Sequence, residues 1–423
     1  VTALGSQMVC AGCGHAEAAD APLPFRCLRS GRGNIDHVLV AKLDLADTPW
    51  PDDDHANPFV RYRTLFHTWR LARRNGMSDA AYVELVEGLD AAVAGVDGTG
   101  FVVTPFVQAD ELGVGIKDET GNVSGSHKAR HLFGLAIHLR VVSELGLWDP
   151  AGARLAIASC GNAALAAAVV ANAVDLPLDV YIPTWANEAV VARLCELGAE
   201  LTVCERNDGD PPGDPCYHAF RRGVAAGALP FTCQGPENGL VIDGGRTLGF
   251  ELVEQLPAVE TMCIQVGGGA LFSAVAQALT WANTLGALPA LPTLHAVQPL
   301  NSHPLALAWR ALGPDFDITT ARRNRSLYMQ PWMREPKSIA TGILDDETYD
   351  WAAICEALIA SGGSVVLAKE STLRAARDDA VAATGIPVSA TGAAGLAGVY
   401  ELRAQRKLAE AARPAVLFTG KQR

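Results

Sequence analysis

The sequence predicts an α/β protein of two open domains with mostly parallel sheets, preceded by a small cysteine-containing segment. Three observations lead there. From about residue 100 short apolar runs alternate with long Ala- and Leu-rich helical runs, the pattern of βαβ units whose sheets are covered on both faces. A length of 423 residues suits two or three domains with sizeable cores. A hydrophobic content of 49% against 19% charged residues fits a compact chain rather than a disordered one.

Taken in order, residues 1–45 hold three cysteines and several glycines with little periodicity, and form the N-terminal segment. "RYRTLFHTWRLARRNG" and "SDAAYVELVEGLDAAVAG" are helical between about residues 60 and 95, with Ser78 as N-cap of the second. The strand–helix pairs follow: "RLAIAS" with "AALAAAVVANAV", "LDVYIP" with "NEAVVARLCELG", and "ELTVCE" with "HAFRRGVAAG". Farther on, "TMCIQVG" precedes "LFSAVAQALTWANTLG", while "TLHAVQP" and "GSVVLA" each lead into a helix. A boundary near 233–245 separates an N-terminal α/β domain, 46–235, from a C-terminal one, 236–423. "NDGDPPGDPCYH" (207–218) reads as a surface insertion.

Charge and patterning exclude several functions. A net charge of −12 speaks against nucleic acid and against anionic membrane surfaces. "LAIASCGNAALAAAVVANAV" (155–174) carries no charge, yet Ser159, Gly161, Asn162 and Asn172 interrupt it. It therefore reads as a buried strand, a loop and a buried helix rather than a membrane span. The first residues lack a basic stretch leading into an apolar one, so no signal peptide is expected. Seven of the ten cysteines are scattered without framework spacing, which suits reduced thiols in the cytoplasm.

Four short motifs carry chemistry. In "ETGNVSGSHKAR" (119–130), Lys128 stands where a loop of small residues hands over to a helix. A lysine amine there can form a Schiff base with a carbonyl. "VGGGALFSAV" (266–275) links a strand to a helix through three glycines, whose N–H groups and helix start suit a phosphate dianion. "SCGNAALAA" (159–167) places Asn162 at a helix start, as an N-cap or as a ligand. "AVLFTGKQR" (415–423) delivers Thr419 and Gly420 at the end of a strand, where a hydroxyl also serves a turn.

Singly these motifs have ordinary readings. In their order and combination, from "TPFV" (104–107) to "LFTG" (417–420), the chain resembles the fold-type II family of pyridoxal phosphate (PLP) enzymes. That family includes threonine synthase, threonine and serine dehydratases and the tryptophan synthase β chain. The resemblance implies that Lys128 holds the cofactor and shuttles protons at Cα, and that Asn162 contacts its 3-hydroxyl oxygen. It implies phosphate contacts from Gly267, Gly268, Gly269, Ala270 and Leu271, a pyridine-nitrogen contact from Thr419, and a substrate carboxylate site at Ser159, Cys160 and Gly161. His127 beside the lysine resembles the His–Lys of the tryptophan synthase β chain and is expected to assist with the phosphate. A neutral threonine at the ring nitrogen favours prompt loss of a β substituent, hence elimination or replacement through an aminoacrylate-type intermediate. The expectation is a cytoplasmic PLP-dependent lyase of the threonine synthase/dehydratase group, a homodimer acting on a small amino acid.

Two features bear on the member. "CAGCG" (10–14) and "CLRSG" (27–31) resemble the halves of a zinc ribbon found ahead of some threonine synthase-like enzymes. Cys10, Cys13 and Cys27 are the metal candidates, Ser30 stands where the fourth thiolate would fall, and His15 or His37 can substitute. The other reading is a relic that packs without zinc. In "QGPENGLVIDGGRTLGFEL" (234–252) the arginine that grips the substrate phosphate in threonine synthases aligns near Val241, with Arg246 beyond the glycines. That departure speaks against O-phosphohomoserine, although threonine synthase and a non-catalytic PLP-binding subunit remain as alternatives. No "ETGAG" loop of the tryptophan synthase β type is present. "SIATGILDDETYDW" (338–351) and "VSATGAAGLAG" (388–398) resemble segments on the substrate side in both subgroups.

Overall fold

The computed structural model describes residues 5–31, 33–208, 213–256, 259–313 and 317–423. Among the described residues twelve strands form: β1 (Ser6–Cys10), β2 (Leu39–Leu43), β3 (Phe106–Ala109), β4 (Val114–Asp118), β5 (Leu155–Ala158), β6 (Leu178–Pro183), β7 (Glu200–Cys204), β8 (Leu229–Pro230), β9 (Thr261–Gln265), β10 (Thr293–Pro299), β11 (Ser364–Ala368) and β12 (Ala415–Phe418). They form three sheets: an antiparallel β1–β2 hairpin, a six-stranded sheet in the order β11-β10-β9-β12-β4-β3, and a four-stranded sheet β7-β6-β5-β8. All neighbours in the two larger sheets are parallel except β3 against β4. The α/β class, the mostly parallel sheets and the cysteine-bearing N-terminal segment are as the sequence predicts. β3 and β4 precede residue 235 but pair within the six-stranded sheet, so the chain crosses between the two layers.

Each anticipated strand–helix pair is present. Helix Asp79–Asp97 starts at Ser78, whose hydroxyl accepts from the Ala81 N–H at 3.0 Å. Ahead of it the helical stretch is broken into Pro58–Arg61, a 3-10 turn and His67–Arg74. The uncharged stretch at 155–174 becomes β5, a loop and the buried helix Asn162–Ala173. Among the described residues no helix is long and apolar enough to cross a membrane. Of the 207–218 loop, residues 209–212 lie outside the described residues, and Asp214 caps the helix Pro215–Ala225.

Topology positions the site. In the six-stranded sheet β12 lies between β9 and β4, and all three run the same way. Their carboxyl ends therefore open together, leading respectively to Thr419, to the glycines at 267–269 and to the segment ending at Lys128. Ligands of open parallel sheets bind at such an edge. The helix Lys128–Glu144 packs closely on Val241–Gln255, because Gly134 and Gly244 meet there: a Cβ on Gly244 would come within 2.1 Å of the Arg130 carbonyl oxygen.

Candidate active site

The segment carrying Lys128 is stitched to the end of β12. The Glu119 N–H donates to the Phe418 carbonyl at 2.9 Å, Ser126 forms a bridge with Gly420, and the His127 N–H donates to the Thr419 carbonyl at 3.1 Å. Lys128 is then the first residue of its helix. Two imidazoles flank it. His127 Nδ1 lies 3.0 Å from the Thr419 carbonyl oxygen, and His131 Nδ1 lies 2.8 Å from that of Val241. A carbonyl only accepts, so both rings carry their proton on Nδ1 and present a bare, unpartnered Nε2. Burial, with the charge of Lys128 adding to it, pushes His127 well below the usual histidine range and His131 down to about 3. Both are neutral at physiological pH.

A buried ionic cluster fixes the start of this helix. The Arg130 guanidinium donates to Glu119 at 2.7 and 2.9 Å, to the Thr247 hydroxyl at 3.0 Å and to Glu251. Lys117 reaches the same Glu251, the Thr104 carbonyl at 2.6 Å and Gln255 at 2.7 Å. Two cations and two carboxylates cancel, and their donors and acceptors are matched. Burial works against the Glu119 carboxylate, but the adjacent Arg130 outweighs it and holds that group below its usual range.

The asparagine loop follows β5. The N-cap of Asn162–Ala173 is Gly161, with no capping side chain, so Asn162 does not take the N-cap place open to it in the sequence. Its Oδ1 accepts from Arg423 Nε at 2.9 Å, and its Nδ2 lies 2.8 Å from where a Cβ on Gly420 would stand. Ser159 Oγ accepts from the Gly161 N–H at 3.4 Å, and burial pushes the Cys160 thiol up. Thr419 is buried, and its hydroxyl oxygen accepts from Gln265 Nε2 at 2.9 Å.

The glycine loop joins β9 to the helix Ala270–Thr284, with Gly269 at φ 106° as its N-cap and Ala270 and Leu271 in its first turn. Residues 343–354 crowd it. A Cβ on Gly267 would lie 2.3 Å from Asp345 Oδ2, one on Gly268 2.8 Å from the Tyr349 ring, and one on Gly269 2.8 Å from Ile354. Burial raises Asp345 to about 6, against the pull of Lys128 and the Gly268 N–H. Burial, with the Asp36 charge adding to it, raises Asp350 to about 7. Asp345, Tyr349, Asp350, Glu119, Arg130 and Glu251 all lie in segments quoted from the sequence (338–351, 119–130 and 234–252) but were not named individually, and His131 lies just past one of them.

Arg246 is buried and committed elsewhere: it pairs with Asp243, donates to Gln277 at 3.2 Å and stacks 4.1 Å above the Trp281 ring. At the N-terminus, ligand atoms of Cys10, Cys13, Cys27 and His37 lie within 4.8 Å of one another, whereas His15 sits 3.6 Å from Glu17. All ten cysteines are free thiols.

Comparison with known proteins finds relatives for the chain. A family model described as pyridoxal-phosphate dependent enzyme matches residues 99–420. Over 164 residues the chain is 29% identical to an L-threonine ammonia-lyase of Thermotoga maritima, which covers 39% of this chain and 38% of that one. It is 24% identical over 311 residues to threonine synthase of Methanosarcina acetivorans (71% and 69% covered). A phenylserine dehydratase of Ralstonia pickettii is 28% identical over 180 residues (42% and 51%). The chain thus spans 38% and 51% of the length of the ammonia-lyase and the phenylserine dehydratase. Maize serine racemase has a TM-score of 0.58 at 19% identity, covering 80% of this chain and 93% of that one. The processed form of threonine deaminase isoform 2 from Solanum lycopersicum has a TM-score of 0.59 at 19% identity (82% and 92%). These structural likenesses speak to the fold alone.

Proposed function

The chain belongs to the pyridoxal-phosphate dependent enzyme family, and from that premise we propose that it acts on a small L-amino acid with a leaving group on Cβ. The reaction is elimination, or elimination followed by addition. The residues fit the cofactor. The glycine loop turns backbone N–H toward negative charge, since the Gly268 N–H favours the Asp345 carboxylate, and a Cβ on Gly267 would run into Asp345 and Ile343, so only glycine keeps that approach open. When bound, PLP supplies the electron sink for the charge left as the Cα proton departs.

The roles follow from what each side chain has free. Lys128 holds the cofactor through its amine and moves the proton at Cα. Gly267, Gly268, Gly269, Ala270 and Leu271 offer N–H groups to the phosphate. His127, neutral in the cofactor-free protein, would join them only by taking up a proton on Nε2, which the negative charge of a bound phosphate favours against the burial that opposes it. Asn162 has Oδ1 engaged by Arg423, which leaves its Nδ2 hydrogens for the 3-hydroxyl oxygen. Thr419 accepts from Gln265, so its hydroxyl hydrogen is left to donate to an unprotonated ring nitrogen. Ser159, Cys160 and Gly161 lead into the Asn162–Ala173 helix start, which suits a substrate carboxylate.

The observation that carries the reading is convergence: Ser126, Asn162 and Thr419–Gly420 meet beside Lys128 at adjoining strand ends. A neutral hydroxyl at the ring nitrogen supports elimination. The commitment of Arg246 to Asp243 and Trp281 speaks against it as the cation for a phosphorylated substrate.

The test is the visible spectrum of the purified protein with PLP, followed by L-serine, L-threonine and O-phospho-L-homoserine in separate additions. A band that shifts with serine or threonine, with keto acid and ammonia formed, is the expected result. Phosphate and threonine released only from phosphohomoserine would make it a threonine synthase. A band unmoved by all three would leave a non-catalytic binder.

A further inference from the structure

We propose that Cys10, Cys13, Cys27 and His37 bind one zinc ion in a closed tetrahedral site that pins the N-terminal hairpin to the body of the protein. Cys10 ends β1 and His37 stands just before β2, so two ligands come from the two sides of the hairpin. Cys13 follows in the turn, and Cys27 returns from the connecting loop. Zinc held tetrahedrally by thiolates and an imidazole sets S–S edges of about 3.8 Å and S–N edges of about 3.6 Å, given its usual bond lengths. The Cys13–Cys27 sulfurs lie 3.7 Å apart and Cys10 Sγ lies 3.5 Å from His37 Nδ1. Two edges of the tetrahedron are thus already set, and a sulfur separation of that size is no disulfide.

The surroundings are those of a metal centre. The Cys13 N–H points to Cys10 Sγ at 3.5 Å and the Arg29 N–H to Cys27 Sγ at 3.4 Å, contacts that favour thiolates. Gly12 lets the two halves close, since a Cβ there would lie 2.2 Å from the Asp36 carbonyl oxygen. Cys10, Cys27 and His37 are buried while Cys13 is partly exposed, which gives the ion a way in. On binding, the three thiols release their protons to solvent and the neutral imidazole donates its lone pair. Four protein ligands leave no open position, so the centre is structural rather than catalytic.

Its purpose lies in what the His37 strand holds. The Asp36 N–H donates to the Arg322 carbonyl at 2.7 Å, and the Arg325 N–H to that of Asn34 at 2.9 Å. The Arg325 guanidinium then bridges Asp36 and Glu347. Glu347 belongs to the segment that crowds the glycine loop. The metal therefore braces, through Asp36 and Arg325, one wall of the candidate active site.

The test uses the full chain, expressed with zinc, dialysed and assayed for metals by mass spectrometry, then exchanged with cobalt. One zinc per chain is expected, with the visible bands of tetrahedral cobalt and thiolate charge transfer. Cys13→Ser should lose the metal. His37→Cys should keep it and raise the charge-transfer intensity per cobalt by roughly a third, as three thiolates become four. The last variant guards against misreading a chain that failed to fold. Wild-type protein without zinc, an octahedral cobalt spectrum, or full metal retention by Cys13→Ser would each overturn the proposal. None of these readouts depends on PLP, so failure here is distinct from failure of the functional reading.

Discussion

Asp345 Oδ2 would stand 2.3 Å from a Cβ on Gly267, so this carboxylate sits at the mouth of the loop that offers N–H groups to an anion. On the function proposed above, the cofactor's phosphate would share this one set of donors with the carboxylate.

Asp345→Asn should therefore stabilise the cofactor-free protein at alkaline pH. Burial raises the carboxyl from 3.8 to about 6. A raised carboxyl costs the folded state above its folded value and nothing below its unfolded one. The gain from the substitution grows between about pH 4 and 6, up to about 3 kcal/mol less whatever solvent removes at this partly exposed side chain. Melting temperatures at pH 4 and pH 8 check it, with a difference only at pH 8. The same variant should bind PLP at least roughly tenfold more tightly, since a like charge is gone.

Lys128→Ala should abolish both the visible band of the bound cofactor and turnover. It also removes a cation that holds down Asp345 and Asp350. Both carboxyls should then titrate higher, which carbon-detected NMR titration would show. Undiminished turnover in this variant would sink the assignment.

Arg130→Met should cost roughly 3–5 kcal/mol, because it strands Glu119 and Glu251 as buried charges without their partner. The urea midpoint reads this directly. Adding Glu119→Gln should recover part of the loss, the signature of coupled sites.

Parts of this architecture were plain in the sequence, and the reason is periodicity. β5, β6, β7, β9, β10 and β11 are short apolar runs, each preceding a helix, and strand–helix alternation leaves few topologies. Lys128, the 267–269 glycines and Thr419 were singled out because Lys128 opens a helix after a loop of small residues and the others follow the ends of β9 and β12. Asp345 and His131 were not. Asp345 acts through a loop far along the chain from the glycines, and His131 is one of several histidines whose ring direction only packing decides. The choice of His37 over His15 is likewise spatial, since the return of the strand into β2 brings His37 to Cys10. Glu251 lies 121 residues from Arg130, and no spacing rule links them.

Asn162→Ala should retain cofactor yet lose rate, because on the function proposed above the amide orients the ring rather than carrying the phosphate. A tenfold or greater fall in kcat with a little-changed PLP affinity is expected. Full activity would reduce Asn162 to a partner of Arg423 at the chain's end.

Arg246→Met separates the two substrate readings. Arg246 is fully buried, pairs with Asp243 and lies over the Trp281 ring, and burial lowers its affinity for a proton despite that partner. Its removal leaves Asp243 with the His67 N–H as a donor at 3.0 Å, so the loss should appear as stability, roughly 3 kcal/mol. A methionine keeps the volume against Trp281, which isolates the charge from the packing. If Arg246 serves the fold, kcat/KM for serine, threonine and phosphohomoserine should change by similar factors. A selective loss with phosphohomoserine would instead make this arginine the missing phosphate grip and revive the threonine synthase reading.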